Sequence, residues 1–234
     1  MSSVLTRHQP RRAKSQTRLQ DLLAAARQVF SNHGYQGATM AMVAQAAGVS
    51  EATVFTYFPG KRELCIQVIK DWYDEITRAL EDALPQHHGT LERLAHVIRA
   101  HLVTLLADGS GMCALVLSEG RTAALHEPDL AQVLTDCKRR YTAPLMRCLA
   151  EAQATGEIRQ DMPLSLLRDL IYGAMEHVLW DAMSKSRRPA IDTTATQLTA
   201  LIWSALMPPD ADKNRLQRFH DEVVAALRHA QAPR

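Results

Sequence analysis

Two short helical segments joined by one tight turn constrain the fold of this chain more than any other feature. Thr39 precedes the first segment, residues 40–47, and its hydroxyl can accept a hydrogen bond from the free backbone N–H groups there. Gly48 ends that segment because it can adopt a positive φ, and Ser50 can cap the second segment, residues 50–58. Two helices joined in this way form a helix-turn-helix, whose second helix enters the major groove of DNA.

The rest of the chain also shows a helical period, so the sequence predicts an all-α fold. Apolar residues recur at steps of three and four, and no run of alternating β-branched residues indicates a strand. Further helices are predicted at residues 15–32, 61–84, 90–107, 112–120, 128–155, 163–185, 192–206 and 211–230. The Pro- and Gly-containing stretch 85–89 marks the best domain boundary. We therefore expect an N-terminal arm (1–14), a three-helix helix-turn-helix domain with a long connecting helix (15–84) and a second helical domain (85–234).

The predicted N-terminal arm is basic, although the whole chain carries a net charge of only +2. No acidic residue precedes Asp21, whereas five positive side chains do: Arg7, Arg11, Arg12, Lys14 and Arg18. A basic segment without a hydrophobic pattern suits contact with a polyanion such as DNA. A solvated tail that aids solubility is the alternative interpretation.

Cysteine use and hydropathy favour a cytoplasmic protein. The four cysteines, Cys65, Cys113, Cys137 and Cys148, form no CxxC pair and fall in helical segments, which is typical of reduced core residues. No apolar run reaches the ~18 residues of a membrane span. The basic N-terminus lacks the apolar stretch of a signal peptide.

Residues 22–69 resemble the DNA-binding domain of TetR-family transcriptional repressors. The shared features are an apolar first helix, the patterns F…GY…T and VA..AGVS, an aromatic-rich T.F.YF and a following K.EL. The resemblance implies a homodimer on a palindromic double-stranded DNA operator, with a C-terminal domain that binds a small-molecule effector and forms the dimer. The two DNA-binding heads must lie about 34 Å apart to reach successive major grooves, so an effector that changes their separation releases the DNA. An activator of the same fold is the alternative.

Hydroxyl groups and helix N-termini of the helix-turn-helix are the expected contacts with DNA phosphates. Free N–H groups and the helix dipole attract phosphate at such positions, and hydroxyls can donate to it. The predicted phosphate contacts are Thr39, Ser50, Thr53, Thr56 and Tyr57, with Lys61 as a positive charge at the start of the next helix.

Base reading is expected from the N-terminal half of the second helix, at Glu51, Ala52, Phe55 and Thr56. Phe55 has no side-chain hydrogen-bonding atom, so a thymine methyl group is its expected target. Glu51 can accept a hydrogen bond from a cytosine amino group, or it can merely complement the positive end of the helix dipole.

A dimer interface is predicted on helices 163–185 and 192–206. Apolar residues run almost around the first of these helices, which indicates burial on two sides. Two helices from each subunit would form a four-helix bundle, as the family resemblance implies; a purely internal core helix is the alternative. The predicted interface residues are Leu167, Ile171, Gly173, Met175, Val178, Leu198, Leu201, Ile202 and Ala205.

Polar or adaptable side chains within apolar helices are the candidates for an effector site, with a structural role as the alternative for each. They are His101, Cys113, Arg121, Tyr141, Tyr172, Glu176, His177 and Trp180. Residues 155–183 are similar to family members that sense fatty acyl-CoA, which implies a small, largely apolar effector, with a fatty acyl-CoA as one candidate. Arg121 or Arg147 would then meet its acidic head group.

An enzyme and a protein-interaction module are the competing classes. The chain lacks GxSxG, HExxH and a phosphate-binding glycine loop, so we expect no catalytic residue and no cofactor. His96 and His101 lie five apart, on different faces of one predicted helix, so no metal site is expected. A helical interaction module would explain the helices, but not a capped pair whose second helix is rich in aromatic and hydroxyl side chains.

Overall fold

The computed structural model describes residues 9–106, 111–117, 128–184, 189–209 and 219–224, with side chains from residue 15 onward except at 128 and 129. No strand occurs within these ranges, and the predicted all-α fold is confirmed. The helices are α1 (Gln9–Gly37), α2 (Met40–Ala46), α3 (Glu51–Tyr57), α4 (Lys61–Ala83), α5 (Gly89–Leu106), α6 (Gly111–Leu117), α7 (Pro128–Thr155), α8 (Leu164–Ser184) and α9 (Ile191–Leu206). Of the predicted helix 211–230, only 219–224 falls within the described residues, where it is helical.

Helices α1, α2 and α3 pack together around a small apolar core, as predicted. Phe30, Val43 and Val54 contribute one fully buried side chain from each helix. Gly48 adopts a φ of +64° after α2, and the N–H of Val49 donates to a carbonyl of α2 at 3.0 Å. A residue with a Cβ would be strained at that φ, so glycine sets the turn between the two short helices.

The first helix starts earlier than the sequence predicted. It begins at Gln9 rather than near residue 15, and it continues through a kink at Gly34, where φ is 64° and ψ is 177°. Residues 9–14 of the predicted arm are therefore helical, while residues 1–8 lie outside the described part of the chain. Arg, Gln, Lys and Ala form helices well, and Pro10 is tolerated in a first helical turn.

Helix α4 connects the two ends of the molecule. Its 23 residues bury an apolar stripe at four-residue steps, formed by Leu64, Val68, Trp72, Ile76 and Leu80. The helix packs on α1 and on α7. The division of the chain into two domains between residues 84 and 85 remains a prediction, because α4 packs against helices on both sides of this boundary.

Helices α5 to α9 form the larger helical body. Leu94, Ile98 and Leu102 of α5 are fully buried, and α5 packs against α7, α8 and α9. The N–H of Arg159 donates to the carbonyl of Leu206 at 2.8 Å, which ties the chain after α7 to the end of α9. No single described helix is long and apolar enough to cross a membrane; α5 and α6 meet that criterion only as a pair bent by 100°.

Candidate DNA-binding surface and effector pocket

Both short helices begin at the side-chain caps that the sequence predicted. The Thr39 hydroxyl oxygen accepts a hydrogen bond from the N–H of Met42 at 3.1 Å. The Ser50 hydroxyl oxygen accepts one from the N–H of Thr53 at 3.2 Å. Each of these hydroxyls keeps its own proton, so capping does not prevent donation to a phosphate.

Helix α3 separates a buried side from an exposed side. Val54 is fully buried and Phe58 nearly so, and together they hold the helix to its domain. The predicted base-reading positions Glu51, Ala52, Phe55 and Thr56 are exposed, and Thr53 and Tyr57 are half-buried. The aromatic side chain of Phe55 is 47% exposed. This exposure leaves the ring accessible to a thymine methyl group, the target expected from the sequence.

Several of the predicted phosphate contacts already have partners within the protein. The Thr53 hydroxyl lies 2.8 Å from that of Ser50, and the Thr56 hydroxyl donates to the carbonyl of Ala52 at 3.0 Å. The Tyr57 hydroxyl lies 3.4 Å from the hydroxyl of Ser15 on α1. An open groove next to α3 is lined by Ser15, Arg18, Gly48, Val49, Ser50, Thr53 and Tyr57. The first helix therefore adds Ser15 and Arg18 to the surface that the sequence analysis placed on α3.

Lys61 has a structural role that the sequence did not predict. Its Nζ donates to the carbonyl oxygens of Tyr35 at 2.8 Å and Ala38 at 3.0 Å, and lies 3.4 Å from that of Gln36. The same atom is 4.7 Å from the centre of the Tyr35 ring. A lysine at this position satisfies carbonyls that the end of α1 leaves unpaired. Its contact with a phosphate remains a prediction.

A cavity of about 460 Å³ lies between α4, α5, α6, α7 and α8. Five of the eight predicted effector-site residues line it: His101, Cys113, Tyr141, Tyr172 and Glu176. These five residues lie on four of the five helices around the cavity, and their contact with an effector remains a prediction.

The other effector-site candidates do not line this cavity. His177 is exposed and Trp180 half-buried, because the inward face of α8 repeats at Tyr172, Glu176 and Leu179. Arg121 lies outside the described residues. Arg147, an expected partner of an acidic head group, instead pairs with Glu81 at 3.2 Å on the surface.

The contribution of α4 to the cavity was not predicted from the sequence. Trp72, Tyr73 and Ile76 of this helix line the cavity. The available signal was a second stripe, through Cys65, Ile69 and Tyr73, since a helix with two apolar faces packs on two sides.

The interior of the cavity is uncharged at neutral pH. The His101 Nδ1 lies 2.9 Å from the Tyr141 hydroxyl, and burial, reinforced by the charge of Lys138, lowers the pKa of His101 to about 3. Burial raises the pKa of Cys113 to about 12, with Glu176 adding to the effect. It also raises the pKa of Tyr141. The cavity therefore offers hydrogen-bonding groups without charge.

Charged residues lie at the rim, and each positive one is paired. Lys138 contacts Glu176 at 3.1 Å, and Arg168 contacts Asp169 at 2.8 Å. Arg139, also at the rim, contacts a carboxylate one turn earlier on α7 at 3.1 Å. An anionic group that entered here would have to compete with these carboxylates. Among the described residues, no three His, Cys, Asp or Glu side chains form a group that could hold a metal ion.

Part of the predicted dimer interface belongs to the core of the single chain. This corrects the placement of four residues, which are buried against the chain's own helices and offer no surface to a partner: Leu167, Ile171, Met175 and Ile202. Gly173 and Leu201 are exposed, and Val178, Leu198 and Ala205 are half-buried.

The outward face of α8 contains two leucines that the predicted interface omitted. Leu166 is 50% and Leu170 is 42% exposed. They precede Gly173 by seven and three residues, so they lie on the side of the helix next to this glycine, which also lines the cavity. The internal-core alternative thus holds for one side of α8, and an apolar surface remains on the other.

Comparison with known families covers most of the chain. The family described as bacterial regulatory proteins, tetR family, matches residues 22–68. The family described as YsiA-like protein, C-terminal region, matches residues 69–205, which is more than half of the chain. The first match contains α2, α3 and the start of α4, and the second contains the cavity.

Individual relatives agree with these matches. The fatty acid metabolism regulator protein of Bacillus subtilis (strain 168) is 26% identical over 158 residues, which cover 68% of this chain and 79% of that protein. The HTH-type transcriptional repressor DhaR of Mycobacterium sp. (strain GP1) is 25% identical over 193 residues, covering 81% and 92%. The crystal structure of FadR from Bacillus subtilis in complex with stearoyl-CoA has a TM-score of 0.69 at 22% identity and covers 80% of this chain and 99% of that one.

Proposed function

This chain belongs to the TetR family of bacterial regulatory proteins, and on that basis we propose that it is a repressor released from its operator by a small, largely apolar effector. It is a DNA-binding transcriptional regulator with a helix-turn-helix, and its relatives are transcriptional regulators rather than enzymes. The name of one relative states that it is a repressor. We infer that the protein acts in the cytoplasm, where bacterial DNA lies.

The observation that carries the proposal is the double role of α4. Lys61, in its first turn, holds the end of α1 next to the helix-turn-helix. Trp72, Tyr73 and Ile76, farther along the same helix, line the cavity. A molecule in the cavity would therefore touch the helix that packs on α1, and α1 in turn packs on α2 of the helix-turn-helix.

We assign the DNA contacts to the exposed side of α3 and to the caps. Thr39, Ser50, Thr53 and Tyr57 are proposed to contact phosphates, which position the protein without reading sequence. Sequence discrimination is assigned to Phe55 and its exposed neighbours, the acidic Glu51, Ala52 and Thr56. Because the Thr56 hydroxyl already donates within α3, a base contact through it would require that bond to break.

A homodimer is proposed through the outward faces of α8 and α9. The apolar surface available for it consists of Leu166, Leu170, Gly173, Leu198, Leu201 and Ala205. Two helices from each subunit would bury this surface in a four-helix bundle. The dimer would present its two α3 helices to successive major grooves, about 34 Å apart.

A fatty acyl-CoA is one candidate effector. A relative is named as a fatty acid metabolism regulator, and the FadR structure holds stearoyl-CoA. In this chain, the apolar side chains of Leu105, Val116, Leu117 and Leu179 line the cavity and suit an acyl chain. The cations at the rim could bind phosphate groups of coenzyme A only by giving up their present carboxylate partners.

A gel-shift titration with the DNA that flanks the protein's own coding region tests the proposal. We expect a retarded band. The binding constant of the protein for this DNA should fall steeply as the salt concentration rises, because phosphate contacts release counterions. Unrelated DNA of equal length is the control. Equal affinity for both DNAs would contradict sequence-specific regulation.

The variant Phe55→Ala tests which residue reads the sequence. Since Phe55 is 47% exposed, the variant should fold normally. We expect it to lose about 1–3 kcal/mol of discrimination at one base pair, measured by titration of operators with single substitutions. Phe55→Leu, which keeps an apolar contact, is the control and should lose less. A uniform loss at all positions would contradict the base-reading role.

A further inference from the structure

Two buried polar atoms in the cavity have no hydrogen-bond partner among the described residues. They are Nε2 of His101 and the hydroxyl oxygen of Tyr172. Both side chains line the cavity, and they are 5% and 8% exposed. Because an unpaired buried polar group costs free energy, such groups in a native protein require an explanation. A ligand that supplies the missing partner is the explanation that their position favours.

The two groups belong to one cluster of rings. The centre of the His101 ring is 5.9 Å from that of Tyr172, and the two rings meet nearly edge to face at 78°. The Tyr141 ring lies 5.7 Å from His101 and 6.1 Å from Tyr172. The three rings therefore form one cluster in the wall of the cavity, and the two unpaired atoms belong to neighbouring rings of that cluster.

The Tyr141 hydroxyl determines which atom of His101 carries the proton. That hydroxyl lies 2.9 Å from Nδ1 of His101, its nearest hydrogen-bonding group among those described. If the phenol donates, Nδ1 accepts and the proton of a neutral imidazole is on Nε2. In the opposite arrangement the buried Tyr141 proton would have no acceptor. Nε2–H is therefore a hydrogen-bond donor that points away from Tyr141.

We propose that His101 and Tyr172 bind a neutral carbonyl oxygen in an otherwise apolar effector; this rests on the proposed function of the cavity as the effector site. The Nε2–H of His101 and the hydroxyl of Tyr172 are two donors, and one carbonyl oxygen has two lone pairs to accept from them. A carboxylate would lack a counter-charge, because burial keeps His101 neutral. An alcohol would bring a proton of its own that needs another buried acceptor.

The same chemistry has two sources, a free ketone and the thioester of an acyl-CoA, and matched probes distinguish them. Benzophenone and diphenylmethane share a shape and differ in the carbonyl group. Palmitoyl-CoA and S-hexadecyl-CoA differ in a similar way, since the thioether has the same number of carbon atoms and lacks the carbonyl oxygen. Calorimetric titration of the full-length protein with all four compounds measures the dissociation constants without DNA.

We expect the carbonyl compound of at least one pair to bind about 10-fold more tightly than its match, as one buried hydrogen-bonded pair predicts. Tyr172→Phe removes the hydroxyl and keeps the ring, so it should reduce that ratio to below about 3-fold. Tyr73→Phe makes the same change elsewhere in the cavity and should preserve the ratio. A ratio near one in both pairs, no binding of either carbonyl compound, or equal effects of the two variants would overturn the proposal.

Two measurements on the free protein test the site without a ligand. The ¹⁵N NMR spectrum of labelled histidine should show His101 as the neutral tautomer protonated at Nε2, and a proton on Nδ1 would overturn the assignment. Tyr172→Phe should melt at or above the wild-type temperature, because it removes an unpaired buried hydroxyl. A clear decrease in melting temperature would show that the hydroxyl already has a partner and would also overturn the proposal.

These outcomes differ from a failure of the proposed function. A carbonyl compound that binds but leaves the operator complex intact would refute the effector role of the cavity and would leave the carbonyl site standing. An operator complex that S-hexadecyl-CoA and palmitoyl-CoA release at equal concentrations would support the effector role. Together with equal binding of benzophenone and diphenylmethane, it would overturn the carbonyl site.

Discussion

At the level of single residues, the ammonium group of Lys61 combines a stabilising contact with a position close to the DNA-binding surface. Its bonds to the carbonyls of Tyr35 and Ala38 are 2.8 and 3.0 Å long. Lys61→Met keeps the aliphatic stem and removes the charge. We expect it to lower the free energy of unfolding by about 1.5–3 kcal/mol, as for hydrogen bonds to charged groups, measured by urea denaturation.

Lys61→Arg is the matched control, because it keeps a donor at the end of α1. A Lys61→Met variant as stable as wild type would contradict the structural role. A contact between Lys61 and a DNA phosphate is tested separately, by DNA binding at a temperature where wild type and Lys61→Met are both folded. If Lys61 also contacts a phosphate, the slope of log binding constant against log salt becomes smaller by about one in Lys61→Met.

His101 should make the stability of the protein depend on pH. Burial lowers its pKa from 6.5 to about 3 in the folded state, so between those values the unfolded chain binds more protons. Stability from this residue is complete above pH 6.5 and is lost as the pH falls towards 3. Between pH 7 and pH 5 we expect a loss of about 2 kcal/mol in the free energy of unfolding.

The measurement compares urea denaturation at the two pH values in wild type and in His101→Gln. Glutamine can still bond to the Tyr141 hydroxyl but does not titrate, so the variant should lose the extra pH dependence. His33→Gln, at an exposed position, is the control and should behave as wild type. A His101→Gln variant with the wild-type pH dependence would show that His101 is not the cause.

Side-chain chemistry in the sequence predicted the two helix caps and part of the cavity lining, but not the distant residues that bond to them. Thr39 and Ser50 were predictable as caps because a cap depends on residues three positions away. The pairing of His101 with Tyr141 crosses 40 residues, and no local pattern encodes it. The role of Lys61 was missed for the same reason, since its carbonyl partners lie more than twenty residues earlier.

At the level of helices, periodicity predicted where the elements lie but not which face meets which neighbour. The end of α9 at Leu206 agrees with the prediction, whereas α1 starts six residues early at Gln9. The start was missed because a run of basic residues was interpreted as an arm, although Arg and Lys form helices well. On α8, an almost continuous apolar surface left the assignment of Leu167 and Leu166 to inside or outside undetermined.

The exposed face of α8 and α9 leads to a prediction about assembly. Leu201 is 69% exposed in the single chain, so Leu201→Glu should not disturb the fold. In the proposed bundle it would place a charge in an apolar contact, where burial of an unpaired charge is strongly unfavourable. We expect the variant to sediment as a monomer in analytical ultracentrifugation at concentrations where wild type is a dimer.

Leu91→Glu is the control for this experiment. Leu91 is 42% exposed and lies in α5, outside the proposed interface. It should sediment as wild type does. A dimeric Leu201→Glu variant, or a monomeric wild type, would contradict the proposed interface.

At the level of the whole molecule, α4 provides the physical path between the cavity and the DNA-binding helices. Its 23 residues extend over about 33 Å at 1.5 Å per residue. Arg27 of α1 pairs with Glu75 of α4 at 2.6 Å, and Asp74 pairs with Arg140 of α7 at 2.8 Å. A displacement of α4 by an occupant of the cavity would therefore change contacts with both halves.

Coupling of this kind is reciprocal, and that gives a prediction independent of structural detail. An effector lowers the affinity of the protein for its operator by the ratio of the effector's own affinities for the DNA-free and DNA-bound forms. The operator must lower the affinity for the effector by the same ratio. We expect a factor of about 5–150 for palmitoyl-CoA, the usual range for coupled sites. Its dissociation constant would be measured by calorimetry with free protein and with the operator complex. The control is the Phe55→Ala variant, mixed with the same DNA at a concentration too low for the variant to bind it. Under these conditions its dissociation constant for palmitoyl-CoA should equal that of free wild-type protein. If palmitoyl-CoA binds in the cavity with one dissociation constant in both forms, α4 does not transmit its occupancy to the DNA.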